Sequence, residues 1–162
     1  MPSPLLSKDN PFKNLTDITL NWVINGLDNK GVFYTDANAY KFVKRNVSTV
    51  ASKAATFFPV NSGIFIENSN ETQVVVMNDR PMAASAYSPG RIEFIIMRQT
   101  LTADGLGIDE PLIDWSPDGK GINYTATFNL LFASNKEDVY RAVQKEHIKA
   151  MVHTQVFYGG RA

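Results

Sequence analysis

From Ile18 to Ile24 apolar residues fall at every second position: Ile18, Leu20, Trp22 and Ile24 share one side, and Thr19, Asn21 and Asn25 the other. An extended chain points successive side chains to opposite faces, so this spacing predicts a half-buried antiparallel strand. Asp28-Asn-Lys-Gly31 is a turn signal, leading into an extended Val32–Thr35 and a second short strand near Tyr40–Lys44. Residues 46–56, rich in Ser, Thr and Ala, read as loop. Ile64–Glu67 and Gln73–Met77 flank the polar Asn68-Ser-Asn70 and read as a hairpin. Val74-Val-Val-Met77 does not alternate, which predicts burial on both faces. Ser88-Pro-Gly90 turns the chain into Ile92–Met97, another central strand, and Ser116-Pro-Asp-Gly119 is a further turn.

The longest alternation runs from Ile122 to Phe132, with Ile122, Tyr124, Ala126, Phe128, Leu130 and Phe132 on one side, and is read as one strand. The period then changes. Ser134 with Glu137 three residues on is a capping box, and Val139, Val143, His147 and Met151 share one helical face. The pattern predicts a helix from about Asn135 to Val152 and a last strand at Thr154–Tyr158. Residues 1–17 are aperiodic and proline-bearing, a loose lead-in. Residues 18–162 form a single domain, a mainly antiparallel β-sandwich with one late α-helix.

A chain of 162 residues with 44% hydrophobic residues fills one core. Sixteen basic and sixteen acidic residues give no net charge, so no electrostatic footprint for nucleic acid or an anionic membrane is expected. No apolar run is long enough to span a bilayer, and the start lacks the charged and apolar regions of a signal peptide. Zero cysteines exclude disulfides and thiolate chemistry and leave the compartment open. Asn14, Asn46, Asn70 and Asn123 stand in Asn-x-Ser/Thr sequons and are candidate glycosylation acceptors, a weak hint of secretory passage.

The candidate chemistry is sparse. His147 and His153 lie six residues apart, on different faces of a helix, which does not suit a pair of metal ligands. Asp104, Asp109 and Glu110 cluster in one stretch, with Asp79 and Glu93 elsewhere, but carboxylates beside glycines are ordinary turn formers. Ser85, within Ala83-Ala-Ser-Ala-Tyr87, lacks the flanking glycines of a nucleophile elbow and reads as a close-packed bend. Asp104-Gly-Leu-Gly107 reads as a sharply bent surface loop, a place where sandwiches often carry binding function. Asp36 and Asn38 are equally suited to closing Asx turns at a strand end and to hydrogen-bonding sugar hydroxyls.

Several motifs in one order carry a resemblance: Phe33-Tyr-Thr-Asp-Ala-Asn38, Thr56-Phe-Phe-Pro-Val-Asn61, Ile64-Phe-Ile-Glu67, Asn78-Asp-Arg80 with Ala83-Ala-Ser85, Gly90–Arg98, and Ala103–Leu112. Over about Lys30 to Leu112 this series resembles the β-sandwich region of the glycoside hydrolase family 38 α-mannosidases, lysosomal and Golgi types alike. Ala39 stands where the family has glycine. The resemblance implies a portion of a galactose-mutarotase-like super-sandwich, downstream of a barrel that carries the aspartate nucleophile and zinc. It implies no catalytic residue, no metal ligand and no cofactor in this chain, with zinc expected in the missing barrel. The implied partners are that barrel, the helical domain of the parent enzyme and a mannose-containing glycan. A lysosomal or secretory setting is suggested as well. The loop Asp104, Gly105, Leu106 and Gly107 is the substrate-adjacent candidate, although Leu106 replaces the family's arginine and cannot offer its charge-assisted bonds.

The expectation is therefore a non-catalytic sandwich domain of an α-mannosidase-like glycoside hydrolase, inactive by itself. The alternative is a free-standing carbohydrate-binding module with Tyr87, Trp115 and Tyr158 as aromatic platforms. A third reading is a sandwich used for protein–protein contact.

Overall fold

The computed structural model of the chain describes residues 17–36, 38, 40–49, 52–68, 72–98, 123–134 and 136–151. Their strands are β1 (Asp17–Val23), β2 (Val32–Asp36), β3 (Phe42–Asn46), β4 (Phe58–Val60), β5 (Gly63–Glu67), β6 (Gln73–Asn78), β7 (Met82–Ser85), β8 (Arg91–Arg98) and β9 (Phe128–Ala133), followed by the helix α1 (Lys136–Met151). One sheet has four strands in the order β1-β8-β7-β4, the other five in the order β3-β2-β5-β6-β9. Every pairing is antiparallel.

The side-chain period of two assigns each layer. On the five-stranded sheet Phe33, Ile64, Ile66, Val74 and Val76 turn toward the four-stranded sheet, where Ala84, Ile92 and Phe94 meet them in one buried cluster. Their neighbours Tyr34, Phe65, Val75 and Met77 point the opposite way and pack with Val139 and Val143 of α1. The described residues thus form three layers, sheet on sheet on helix. The absence of alternation in Val74–Met77 has its cause here: β6 is central and covered on both faces, and all of its residues are buried. Each fully buried aliphatic or aromatic side chain in these two clusters contributes about 1.5–3 kcal/mol through burial.

The antiparallel sandwich with one late helix stands as expected from the sequence, and so do the strands at 18–24, 32–35, 64–67, 73–77 and 92–97 within a residue or two. The boundaries that moved have physical reasons. Asp17, placed with the lead-in, is the first residue of β1, where Arg98 grips its carboxylate from the end of β8, Nε to Oδ1 at 2.8 Å. The strand expected near Tyr40–Lys44 starts at Phe42, because the Asn38 side chain accepts the backbone N–H groups of Tyr40 and Lys41 and holds them in a turn. Residues 46–56 carry two short 3-10 turns, Val47–Thr49 and Lys53–Thr56.

Ala83–Tyr87 is not a bend. Met82–Ser85 form β7, paired with β4 and β8, and the small side chains sit where Ala84 enters the core. The strand expected from Ile122 is shorter: residues 123–127 are irregular and β9 begins at Phe128. Its ladder partner β6 ends at Asn78, which faces Phe128, so no backbone edge remains to pair the preceding residues. Side chains take over: Asp79 Oδ2 accepts the Thr127 N–H at 2.8 Å, and the Arg80 guanidinium lies 5.0 Å from the centre of the Tyr124 ring. The helix spans Lys136–Met151 with Val139 and Val143 buried and His147 half-buried, as the expected face requires. The side chain of Glu137, the turn at 116–119 and the strand at 154–158 lie outside the described residues.

The Asp79 clip has a pH signature. Its carboxyl is held below the usual carboxylate range, first by the hydrogen bond from Arg80, then by the Thr127 N–H and the Arg80 charge. A folded pKa below the unfolded one adds stability that is present above the unfolded value, about 3.9, and is lost as the pH falls through the lower folded value. Asp79→Asn is therefore expected to be less stable than the parent at pH 7, and the difference should begin to shrink as the pH falls through about 4 and vanish only below the lower folded value. Urea unfolding midpoints across pH 2–7 check this; a deficit that persists undiminished in acid would show that the carboxylate charge is not what holds the clip.

Candidate functional site

The polar residues of the motif series lie at strand ends: Asp36, Asn61, Ser62 and Asn78 at one end of the five-stranded sheet, and Glu67 with Gln73 at the other end of the β5–β6 ladder. Thr35 and Asp36 close β2, and Asp36 is buried with 2% of its surface exposed. Its Oδ1 accepts the Asn38 N–H at 3.0 Å, its Oδ2 accepts the Ser62 hydroxyl, and its carbonyl accepts the Asn61 N–H at 2.7 Å. The Asx-turn reading of Asp36 and Asn38 is therefore how the chain uses these side chains locally. The neighbouring Thr35 Oγ1 accepts from Arg45 Nε at 3.0 Å, and the Arg45 guanidinium covers the Phe58 ring at 4.3 Å.

On the helix side of the same sheet, Glu67 accepts the Tyr34 hydroxyl at 2.8 Å and the Gln73 amide at 3.0 Å. At the far end of β6, the Asn78 side-chain amide donates to the carbonyls of Val60, Asn61 and Arg80, tying β6 to the β4–β5 turn. The carboxylates of this constellation, Asp36, Glu67 and Asp79, are all engaged in holding segments of the chain together. Glu93 is different. It is buried on the outer face of β8, cross-strand from Ser85 and Asn21, and its Oε2 has no hydrogen-bond partner among the described residues. Ser85 donates its hydroxyl to Thr56 Oγ1 at 2.9 Å and is fully buried, in keeping with a packing role and not a nucleophile elbow.

A shallow depression opens beside Asp36, between the β2–β3 turn, the Ser62 turn and α1. Its volume is about 20 Å³, enough for about one water molecule. Asp36 and Ser62 lie at one side, Tyr40 and Lys41 at the rim, and Tyr140 and Gln144 of α1 opposite. Tyr140 stacks on Phe42 with ring centres 5.3 Å apart, and Gln144 Nε2 reaches the Tyr40 carbonyl at 3.5 Å. Sequence reasoning singled out Asp36 and Asn38 but not this depression. Tyr140 and Gln144 arrive from about a hundred residues away, and nothing in their local pattern marks them.

The substrate-adjacent candidates Asp104, Gly105, Leu106 and Gly107 lie outside the described residues, as do Asp109, Glu110, His153, Trp115 and Tyr158. Tyr87, the remaining expected platform, is half-buried with the Lys53 ammonium 4.5 Å from its ring centre. Of the sequon asparagines, Asn14 and Asn70 lie outside the described residues, while Asn46 and Asn123 are exposed. Asn46 Oδ1 accepts both the N–H and the hydroxyl of Ser48. Among the described residues no three His, Cys, Asp or Glu side chains converge to hold a metal ion. The described part of the chain thus does not fit zinc.

The sequence of the chain has counterparts among known proteins. The lysosomal alpha-mannosidase of Felis catus is 33% identical over 103 residues, covering 59% of this chain and 10% of that protein. The lysosomal alpha-mannosidase of Homo sapiens is 32% identical over 96 residues, 54% of this chain and 9% of that protein. Alpha-mannosidase 2 of Drosophila melanogaster is 30% identical over 91 residues, 56% of this chain and 8% of that protein. The chain spans about a tenth of the length of these curated relatives. The glycosyl hydrolases family 38 C-terminal domain matches residues 23–106, just over half of the chain, from the end of β1 through β8 and beyond. With residues 23–106 matched, the corners that join the two sheets among them, the chain belongs to the family of glycosyl hydrolase family 38 C-terminal domains.

Proposed function

We propose that this chain is the sandwich module of an α-mannosidase-like glycoside hydrolase that acts on mannose-containing glycans, and that it takes no part in bond cleavage. The observation that carries this reading is the use of the motif carboxylates. Hydrolysis of a glycosidic bond normally needs two carboxyl groups facing a sugar at a defined separation. Asp36, Glu67 and Asp79 instead accept hydrogen bonds from Ser62 and Asn38, from Tyr34 and Gln73, and from Arg80 and Thr127. The catalytic aspartate and the zinc belong, in this reading, to a barrel elsewhere in the parent enzyme, which together with a helical domain is the partner of the sandwich.

The module's work is to buttress that barrel. Edge strands β1 and β9 support this role. Leu20, Leu130 and Phe132 share their sheet face with the core residues Phe94, Val76 and Val74 that pair with them, yet they remain 36%, 40% and 66% exposed. An apolar rim of this kind suits burial against a neighbouring domain.

The purified chain is expected to give no zinc-dependent hydrolysis of an aryl α-mannoside. Turnover that scales with the concentration of this chain and is abolished by a chelator would overturn the reading.

A further inference from the structure

We propose that the free edge of β9 is a docking surface for a second copy of this chain, the two β9 strands pairing antiparallel into one continuous sheet. The inference goes beyond the buttressing role and does not depend on it, since it concerns the backbone edge of β9 and not the exposed side chains of β1.

The contrast among the sheet edges carries the argument. An edge strand presents N–H and C=O groups to any other strand, and proteins guard such edges with charge, proline or a bulge. Among the described residues four strands lie at sheet edges, β1 and β4 of one sheet and β3 and β9 of the other. β3 carries Lys44 and Arg45, β4 has Pro59 at its centre, and β1 is interrupted by a register shift between Ile18 and Thr19. β9, Phe128-Asn-Leu-Leu-Phe-Ala133, has none of these guards. It holds no charge and no proline, and it pairs with β6 without a shift from end to end. Its Leu130 and Phe132 are 40% and 66% exposed.

The same features select a second copy as the occupant. Identical strands that pair antiparallel are related by a two-fold axis, so the edge must complement itself. With the axis at Leu131, Leu130 of each copy lies opposite Phe132 of the other, and Asn129 lies opposite Ala133. The exposed apolar residues then meet on one face as direct cross-strand pairs, once on each side of the axis. No like charges are brought together, because β9 has none. The pairing also closes. Each β9 edge is used once, and the outer ends of the joined sheet are the two β3 strands with Lys44 and Arg45. Six residues span only about 20 Å, so the contact is small. The dimer is accordingly a weak one, with a dissociation constant on the order of 10–100 μM.

The test is sedimentation equilibrium of the full chain from about 5 to 500 μM, with amide hydrogen exchange at both ends of that range. The expected result is a monomer–dimer equilibrium, with slower exchange at the higher concentration in alternate amides of β9, those turned away from β6. Phe132→Lys, at an exposed position, should weaken association by about 10-fold or more, and an unchanged NMR spectrum away from β9 shows that it folds. Asn129→Lys, at an exposed polar position of the same strand, should weaken it as well. Tyr40→Lys adds the same charge at a residue that is 77% exposed beside β3, the opposite edge of the sheet, and should leave association as it is. A chain that stays monomeric to about 500 μM, assembly that grows past the dimer, or association without added protection in β9 would each overturn the proposal. So would association that folded Phe132→Lys leaves unchanged, or that Tyr40→Lys weakens equally.

Discussion

Replacing Gly90 with alanine is expected to lower stability by about 2–5 kcal/mol, a large part of the 5–15 kcal/mol of a typical domain. Two independent costs add. Gly90 has φ of +63°, a conformation that L-residues adopt at a cost of about 1–2 kcal/mol. A Cβ at this position would also lie 2.5 Å from the carbonyl oxygens of both Ile24 and Leu27. Those oxygens are backbone and cannot swing aside as a side chain would. The contact is close because the β1–β2 connection is stitched onto the β7–β8 turn at this point. Ile24 N–H donates to the Gly90 carbonyl at 2.7 Å, and Gly90 N–H donates to Asn29 Oδ1 at 3.0 Å. The buried Asn29 amide in turn donates to the carbonyls of Val32 and Ala86, both at 3.0 Å. Opening a gap for one methyl group would strain all of these bonds together.

Gly26 supplies the control. Its φ is +80°, and a Cβ there meets nothing within 4 Å. Gly26→Ala should therefore carry the conformational cost alone, about 1–2 kcal/mol. Urea unfolding of both variants separates the two terms. Equal losses would show that the close approach at Gly90 is not a constraint, and a changed m-value in Gly90→Ala would mark a rearranged native state.

Gly90 also illustrates what the sequence makes legible and what it does not. Ser88-Pro-Gly90 announces a turn, because the residue types that form turns are local signals. The reason only glycine fits is the approach of residues 24 and 27, more than sixty positions earlier, and no local pattern carries that. The same division runs through the fold. β1 is long enough for its period to show, β5, β6 and β8 show as apolar runs between turn signals, and α1 declares itself by a change of period. β4 and β7 have three and four residues, too few for a period, and exist because pairing with each other and with β8 satisfies their backbones. The alternation before Phe128 promised more strand than there is, because a period describes a strand's faces and not the length of its partner.

The candidate site divides in the same way. Asp36 and Asn38 were legible as turn formers, a purely local use of their side chains. Ser62, which binds the Asp36 carboxylate, and the Tyr140 and Gln144 side chains that complete the depression are assembled by tertiary structure alone. The motif series identified the family because it is an ordered set of such corners. It could not reveal that the corner at Asp36 borders an aromatic rim, since that rim comes from a helix beyond the matched residues.

That helix is the subject of the second large effect. Phe65→Ala is expected to cost about 3–5 kcal/mol and to release α1 before the sheets unfold. Phe65 is fully buried on the helix side of β5, stacked on Tyr34 with ring centres 4.4 Å apart and 5° between planes. Phe42 meets it edge-on at 5.1 Å and Tyr140 lies at 6.1 Å. The ring is thus the floor onto which Val139, Val143 and Tyr140 settle. An isolated helix of sixteen residues is marginal in water, and its stability comes from the face it buries. In α1 that face is narrow: Val139 and Val143 are buried, while Tyr140, Arg141, Gln144, Lys145, Ile148 and Lys149 are exposed. Removing the ring leaves a cavity under both valines and deprives Phe42 and Tyr140 of their shared partner. Ile66, one residue on, faces the other layer, so Ile66→Ala should weaken the sandwich while keeping helix and sheets in one cooperative transition. Amide hydrogen exchange distinguishes the two variants. In Phe65→Ala, protection across residues 139–149 should fall toward that of a fraying end, while β5, β6 and β8 retain theirs. If the helix and β8 amides lose protection by the same factor, Phe65 supports the whole domain equally and is not the anchor of α1.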